Sequence, residues 1–194
     1  MILLDGKAVA EEIKIFLRAK IAERKYAPRL AIVSVGKNPV SERFIALKEK
    51  YARDIGAETR RYEFPEDIST NSLRSRMSDI VHEARNDGVI VQLPLPSHID
   101  TQGILNAVVP EKDVDALSAR TVGDISVGRA KILSPVAASV AALFEKYNIG
   151  VRGKKAVVVG YGRLVGQPVS AWLLKNEAEV TIFTDEKLFN TDVL

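Results

Sequence analysis

The sequence predicts an α/β protein: an N-terminal domain with a mostly parallel sheet, followed by the opening of a Rossmann-type nucleotide-binding domain. Three observations predict it. Short β-branched runs alternate with helix-length amphipathic stretches along the chain, the order that builds βαβ units. One such run, Lys155 to Val159, leads straight into the glycine-rich turn Gly160-Tyr161-Gly162-Arg163-Leu164-Val165-Gly166, and a helical stretch follows. The chain has 194 residues, no cysteine and 46% apolar residues, so a buried core rather than disulfides holds it together.

Each element has a local cause. Val9, Ile13, Phe16, Leu17 and Ile21 recur at helical spacing and predict a helix over 7–24. Arg29 to Val35, after Pro28 and before Gly36, is a buried strand. Val40, Phe44, Leu47, Tyr51 and Ile55 predict an amphipathic helix over 40–54, started at Asn38-Pro39 and stopped near Gly56. A second strand spans 58–64 and a turn follows at 65–67. Leu73, Met77, Ile80 and Val81 form the inner face of a helix over 71–85, and Gly88 to Leu93 is a third buried strand. Asp100 caps a short helix through Val108, and Pro110 to Ser134 reads as a site-forming loop. A helix at 136–147, a strand at 155–159, a helix at 164–175 and a strand at 178–183 complete the pattern. The expected boundary is Ile149-Gly150, giving domains 1–149 and 150–194.

Composition excludes several classes. The net charge is +3, with acids and bases interspersed, so no nucleic-acid partner is expected. No stretch approaches the roughly 20 apolar residues of a membrane helix. The N-terminus lacks the basic region and long apolar run of a signal peptide, and a cytoplasmic location is expected. Absence of cysteine removes thiol nucleophiles and thiolate metal sites, and no metal is expected.

The glycine turn carries the clearest chemistry. Its spacing is G-x-G-x-x-x-G, one residue longer than the common dinucleotide fingerprint. Gly160 and Gly162 would let backbone N–H groups approach a pyrophosphate, which the helix N-terminus favours, and Gly166 would let the helix pack close to the sheet. Tyr161 and Val165 belong to the same turn, and Arg163 could pair with a phosphate. Asp185 lies about 20 residues further on, where an acid accepts hydrogen bonds from a ribose 2′-hydroxyl and disfavours a 2′-phosphate. The same residue could equally be a helix cap.

Five segments in order resemble the bifunctional methylenetetrahydrofolate dehydrogenase/methenyltetrahydrofolate cyclohydrolase family. They are Leu4-Asp5-Gly6-Lys7; Val35-Gly36-Lys37-Asn38-Pro39-Val40-Ser41 with Phe44 and Lys48; Val91 through Ile99; Pro110-Glu111-Lys112-Asp113-Val114-Asp115; and Gly153 through Gly160 with Val165-Gly166-Gln167-Pro168. The resemblance implies oxidation of 5,10-methylenetetrahydrofolate with NAD or NADP, then hydrolysis of the methenyl product to 10-formyltetrahydrofolate. It implies a folate lying in a cleft between the domains and a homodimer formed through the nucleotide-binding domain. Lys48 matches the catalytic lysine; burial favours the neutral amine of such a residue and fits it for proton transfer. Gln92 matches the glutamine that hydrogen-bonds near it. Asp115 matches the aspartate that anchors the pterin, whose amino and N–H donors suit a carboxylate. Phe44 belongs to the same substrate site.

The chain departs from the family pattern in several places. Phe44 stands where the family has tyrosine, which removes a hydroxyl from the proton-transfer network and is expected to impair hydrolysis more than hydride transfer. Ala116 replaces a glycine, Thr121 a nearby asparagine, and Ser134-Pro135 a longer Pro-Cys-Thr-Pro segment. Tyr161-Gly162 and Thr184-Asp185 replace likely phosphate contacts and lean the cofactor expectation toward NAD, against a family default that is often NADP. Family members continue beyond the position matching Leu194, so the chain is expected to be a fragment or a shortened member that pairs with something. Two further readings stand beside the enzyme: a non-catalytic folate- or nucleotide-binding module, and an unrelated Rossmann oxidoreductase. The last predicts a catalytic histidine, but His82 sits on a helix and His98 in a loop inside the family-like segment.

Overall fold

The computed structural model describes residues 3–184. Its elements, in order, are α1 (Gly6–Ala22), β1 (Arg29–Val35), α2 (Pro39–Ile55), β2 (Glu58–Phe64), α3 (Thr70–His82), β3 (Gly88–Val91), α4 (Thr101–Leu105), α5 (Ala119–Ser126), α6 (Pro135–Lys146), β4 (Lys155–Val159), α7 (Gly166–Lys175) and β5 (Glu179–Phe183). No helix among the described residues is long and apolar enough to cross a membrane. The chain divides into two compact units, one of residues 10–120 and one of residues 1–9 with 121–194. The expected boundary at Ile149-Gly150 therefore lies inside the second unit. The reason is that α6 packs on α7, with the Phe144 and Trp172 rings edge-to-face at 5.8 Å.

The first unit is a parallel sheet of order β2-β1-β3. The apolar run of β1 sits at its centre, and residues 31–35 are all buried. One sheet face packs Ala31, Val33, Val89 and Val91 against Leu73, Met77, Ile80 and Val81 of α3 and against Ile104 and Leu105 of α4. The other face is smaller and packs Ile32 and Ile90 against Ile45 of α2.

Caps set the helix bounds. Asn38 accepts hydrogen bonds from the N–H groups of Val40 and Ser41, Pro39 starts α2, and Gly56 ends it in the left-handed region at φ 84°. The side of α2 that faces inward differs from the apolar stripe in the sequence. Ser41, Ile45 and Ala52 are buried, whereas Val40, Phe44, Leu47 and Tyr51 are 64%, 53%, 55% and 36% exposed. Small side chains at 41 and 52 leave Ile45 as the one large buried group of the helix. Arg61 of β2 ties the helix down from the side, gripping both oxygens of Glu49 at 2.6 and 2.8 Å and one of Glu42 at 2.8 Å.

The helix expected over 71–85 stops at His82, because Glu83 turns extended and enters a polar cluster. Its carboxylate accepts from Arg29, from Arg60 at 2.8 Å and from the Tyr62 hydroxyl at 2.6 Å. The Lys112 ammonium then donates to the carbonyls of Val81 and Glu83 at 2.7 and 3.0 Å, closing the negative end of α3. The segment 110–134, expected as loop, contains α5. Its first amide, Ala119 N–H, donates to the side-chain oxygen of Asn106 at 2.8 Å, so the helix is started by a residue thirteen positions away.

The second unit holds the parallel pair β4-β5 with α7 between them. Gly160 adopts φ 89°. At Gly166 a Cβ would stand 2.0 Å from the Gly160 carbonyl oxygen, so only glycine lets α7 begin this close to the strand end. α7 ends in a Schellman motif: Ala178 N–H donates to the Leu173 carbonyl and Glu177 N–H to that of Leu174. Glu177 occupies the left-handed position at φ 61°.

Two substitutions check this account. Gly166→Ala should lower the unfolding midpoint of the unit measurably, because backbone rather than a movable side chain blocks the methyl group. Glu177→Gly should stabilise it by about 0.5–1 kcal/mol, the left-handed penalty of an L-residue less the entropy of glycine. The exposed Arg152–Glu177 ion pair that is lost contributes little. Thermal denaturation followed by circular dichroism reads both, and an unchanged midpoint in Gly166→Ala would contradict the close approach.

Candidate active site

Ligands of open α/β sheets gather outside the carboxyl ends of the strands. In the first unit three elements bring polar side chains there. Gln92 directly follows β3, held in register by its N–H to the Val33 carbonyl at 2.8 Å. Lys48 projects from α2, one turn after Phe44, and donates to the Gln92 side-chain oxygen at 2.9 Å. The Gln92 amide nitrogen in turn donates to the Leu93 carbonyl at 2.9 Å, which orients the side chain so that its oxygen meets the lysine.

Asp115 comes from the segment after α4. Asp113 forms a parallel bridge beside Val89, so the chain runs alongside β3 and carries Asp115 toward the end of that strand. Burial pushes the Asp115 carboxyl above its ordinary range; the Lys48 ammonium pulls it back and the Asp113 carboxylate pushes it further up. Lys48, Gln92 and Asp115 are thus together in one unit. Phe44 stands on the same helix with its ring largely exposed, available to stack on a flat ligand.

The cofactor candidates lie in the second unit. Tyr161, Gly162, Arg163 and Val165 are exposed, and Gly160 and Gly166 set the shape of the turn. No side chain caps the start of α7, where Val165 is the flanking residue; the Gln167 N–H donates to the Gly162 carbonyl at 3.1 Å, and Pro168 has no N–H. The Gln167 side chain donates to the Tyr161 carbonyl at 3.3 Å and braces the turn. These features fit a pyrophosphate. Asp185 lies outside the described residues.

Sequence reasoning passed over the role of one residue here. Asp113, 4% exposed, accepts from the N–H groups of Leu117 at 3.2 Å and Ser118 at 2.9 Å. Ala116, the residue between, sits at φ 56°. An acid two positions before Asp115 was visible, but its burial was not. The two histidines carry no site: His82 bonds the Ser78 carbonyl of its own helix, and His98 bonds the Ile68 carbonyl.

Comparison with known proteins identifies the family. Residues 4–115 match the model of the tetrahydrofolate dehydrogenase/cyclohydrolase catalytic domain, and residues 134–191 match that of its NAD(P)-binding domain. The bifunctional protein FolD of Lacticaseibacillus casei is 34% identical over 92% of the chain, and that of Sulfurimonas denitrificans 36% identical over 96%. The chain spans 64% of the first and 68% of the second. The crystal structure of the bifunctional FolD enzyme of Campylobacter jejuni superposes on the whole chain with TM-score 0.93 at 32% identity, and the chain covers 70% of it. The Trypanosoma brucei FolD enzyme, solved with NADP and an inhibitor, gives TM-score 0.86 at 30% identity over 93% of this chain and 63% of that one. With two family models in chain order and relatives of this identity, the chain belongs to the tetrahydrofolate dehydrogenase/cyclohydrolase family.

Proposed function

We propose that the protein oxidises 5,10-methylenetetrahydrofolate with NAD or NADP to the methenyl form, and hydrolyses that product to 10-formyltetrahydrofolate. The observation that carries the reading is the Lys48–Gln92 hydrogen bond in the same unit as the half-buried Asp115, in a chain of this family. Asp115 binds the pterin by accepting hydrogen bonds from its amino and ring N–H donors, and Phe44 stacks on its face. The turn 160–166 and the start of α7 hold the pyrophosphate of NAD(P), and Arg163 stands by for a phosphate. The bound nicotinamide supplies the acceptor for the hydride that leaves the methylene carbon. In the second step water adds to the methenyl carbon and the N5–carbon bond breaks. One water proton ends on N5 and the other is released. Lys48, oriented by Gln92, is the group that holds and moves a proton there.

Two finer parts belong to the same reading. The protein acts in the cytoplasm as a homodimer formed through the nucleotide-binding unit. A second reading, folate binding without turnover, is favoured by one observation: Phe44 has no hydroxyl to join the Lys48 network. Appearance of NADH or NADPH from 5,10-methylenetetrahydrofolate separates the two, and its complete absence with folate still bound selects the second.

Two variants sharpen the test. Asp115→Asn should lose folate affinity by at least tenfold, the worth of a charge-assisted hydrogen bond. The same variant should unfold no earlier than the parent at neutral pH. The sign follows from the raised pKa: below it Asp115 is neutral and the variant is equivalent, above it the parent carries a half-buried charge that the amide lacks. A lowered midpoint in calorimetry would mean that Asp115 is structural. Phe44→Tyr should raise methenyl hydrolysis roughly tenfold, with hydride transfer little changed, because only hydrolysis uses the added hydroxyl. No gain in hydrolysis, measured as decay of methenyl absorbance, would sink that assignment.

A further inference from the structure

Ala116 follows Asp115 directly and adopts φ 56°, a region that costs an L-residue about 1–2 kcal/mol. A non-glycine residue stays there only when its surroundings force it. The forcing contacts are visible. Ala116 N–H donates to the Asp113 backbone carbonyl at 3.1 Å. The two oxygens of the Asp113 side chain accept separately, one from Leu117 N–H at 3.2 Å and the other from Ser118 N–H at 2.9 Å. One buried carboxylate therefore grips the backbone on the far side of the strained residue, while its own backbone is fixed beside β3 through Val89 N–H to the Lys112 carbonyl at 2.8 Å. Asp115 lies inside the closed loop, and the direction of its side chain depends on the turn at 116.

We propose that Asp113 is a positioning residue, whose carboxylate clamp on Leu117 and Ser118 holds Ala116 in its left-handed turn and thereby fixes the backbone that carries Asp115. This deepens the folate reading and rests on it for its consequence, while the clamp itself is measurable without folate. Asp113→Asn is close to isosteric but replaces one acceptor oxygen by an NH2 that faces an N–H donor, so the grip is halved. In that variant the amides of Leu117 and Ser118 should exchange with solvent about tenfold faster or more, and 5-formyltetrahydrofolate, a stable reduced folate used as the probe, should bind roughly tenfold more weakly. Adding Ala116→Gly should restore most of the binding, because glycine adopts the left-handed turn without being forced. That rescue is what a merely structural Asp113 would not give.

Unchanged exchange and unchanged affinity in Asp113→Asn overturn the proposal, and so does loss of binding that Ala116→Gly leaves unrepaired. If Asp113→Asn does not fold, amide exchange in the parent decides: slow exchange at 117 and 118 supports the clamp, and exchange at the unprotected rate rejects it. If the parent fails to bind the probe at all, the folate reading falls, and the exchange rates still judge the clamp.

Discussion

The arrangement depends on keeping β1 dry. A strand paired on both edges and covered on both faces has no water for its backbone or side chains, so every neighbour must satisfy it. β2 and β3 take the two edges in parallel, α3 and α4 take one face, and α2 takes the other. Parallel pairing then puts the carboxyl ends of all three strands on one side. There Gln92 leaves the sheet, where α2 supplies Lys48 and the bridge beside Val89 brings in the segment of Asp115. The candidate site is thus the place where the buried sheet runs out and the backbone turns toward polar partners.

The parts of the fold that local chemistry decides were legible in the sequence. Apolar β-branched runs bounded by proline and glycine became β1 and β3, Asn38-Pro39 and Gly56 became the ends of α2, and the 73-77-80-81 pattern became the buried face of α3. The strand, glycine turn and helix at 155–175 were legible for the same reason, since Gly160 and Gly166 answer to a backbone angle and a close approach. What long-range contacts decide was not legible. The buried side of α2 is set by which small residues fit against the sheet, so Ser41 and Ala52 lie inside while Phe44 lies out. α5 is started by Asn106 from another element, and α3 is stopped by the cluster around Glu83 and closed by Lys112. The candidate site divides in the same way. Lys48, Gln92 and Asp115 could be named from their motifs, but the buried role of Asp113 requires knowing that the backbone of 117 and 118 folds back onto it.

Electrostatics separate the two kinds of acid in the first unit. Glu49 lies among guanidinium donors and Glu83 among guanidinium and hydroxyl donors, and both carboxyls are held below the ordinary range, Glu49 mainly by Arg61 and Glu83 first by Tyr62 and then by Arg29. Their charges are answered, and they tie a helix to a strand. Asp115 is the opposite case, a carboxyl raised because burial outweighs the attraction of Lys48. A fold that needed only a capping acid at that place would gain by surrounding it with donors, as it does for Asp113 two residues earlier. Leaving Asp115 short of donors has physical sense if the missing donors arrive with a ligand. A pterin, with an amino group and a ring N–H on one edge, brings a matching pair. The free-energy cost of the raised carboxyl and of the left-handed Ala116 beside it is then stability held back for binding, which is where strained and perturbed groups concentrate in proteins.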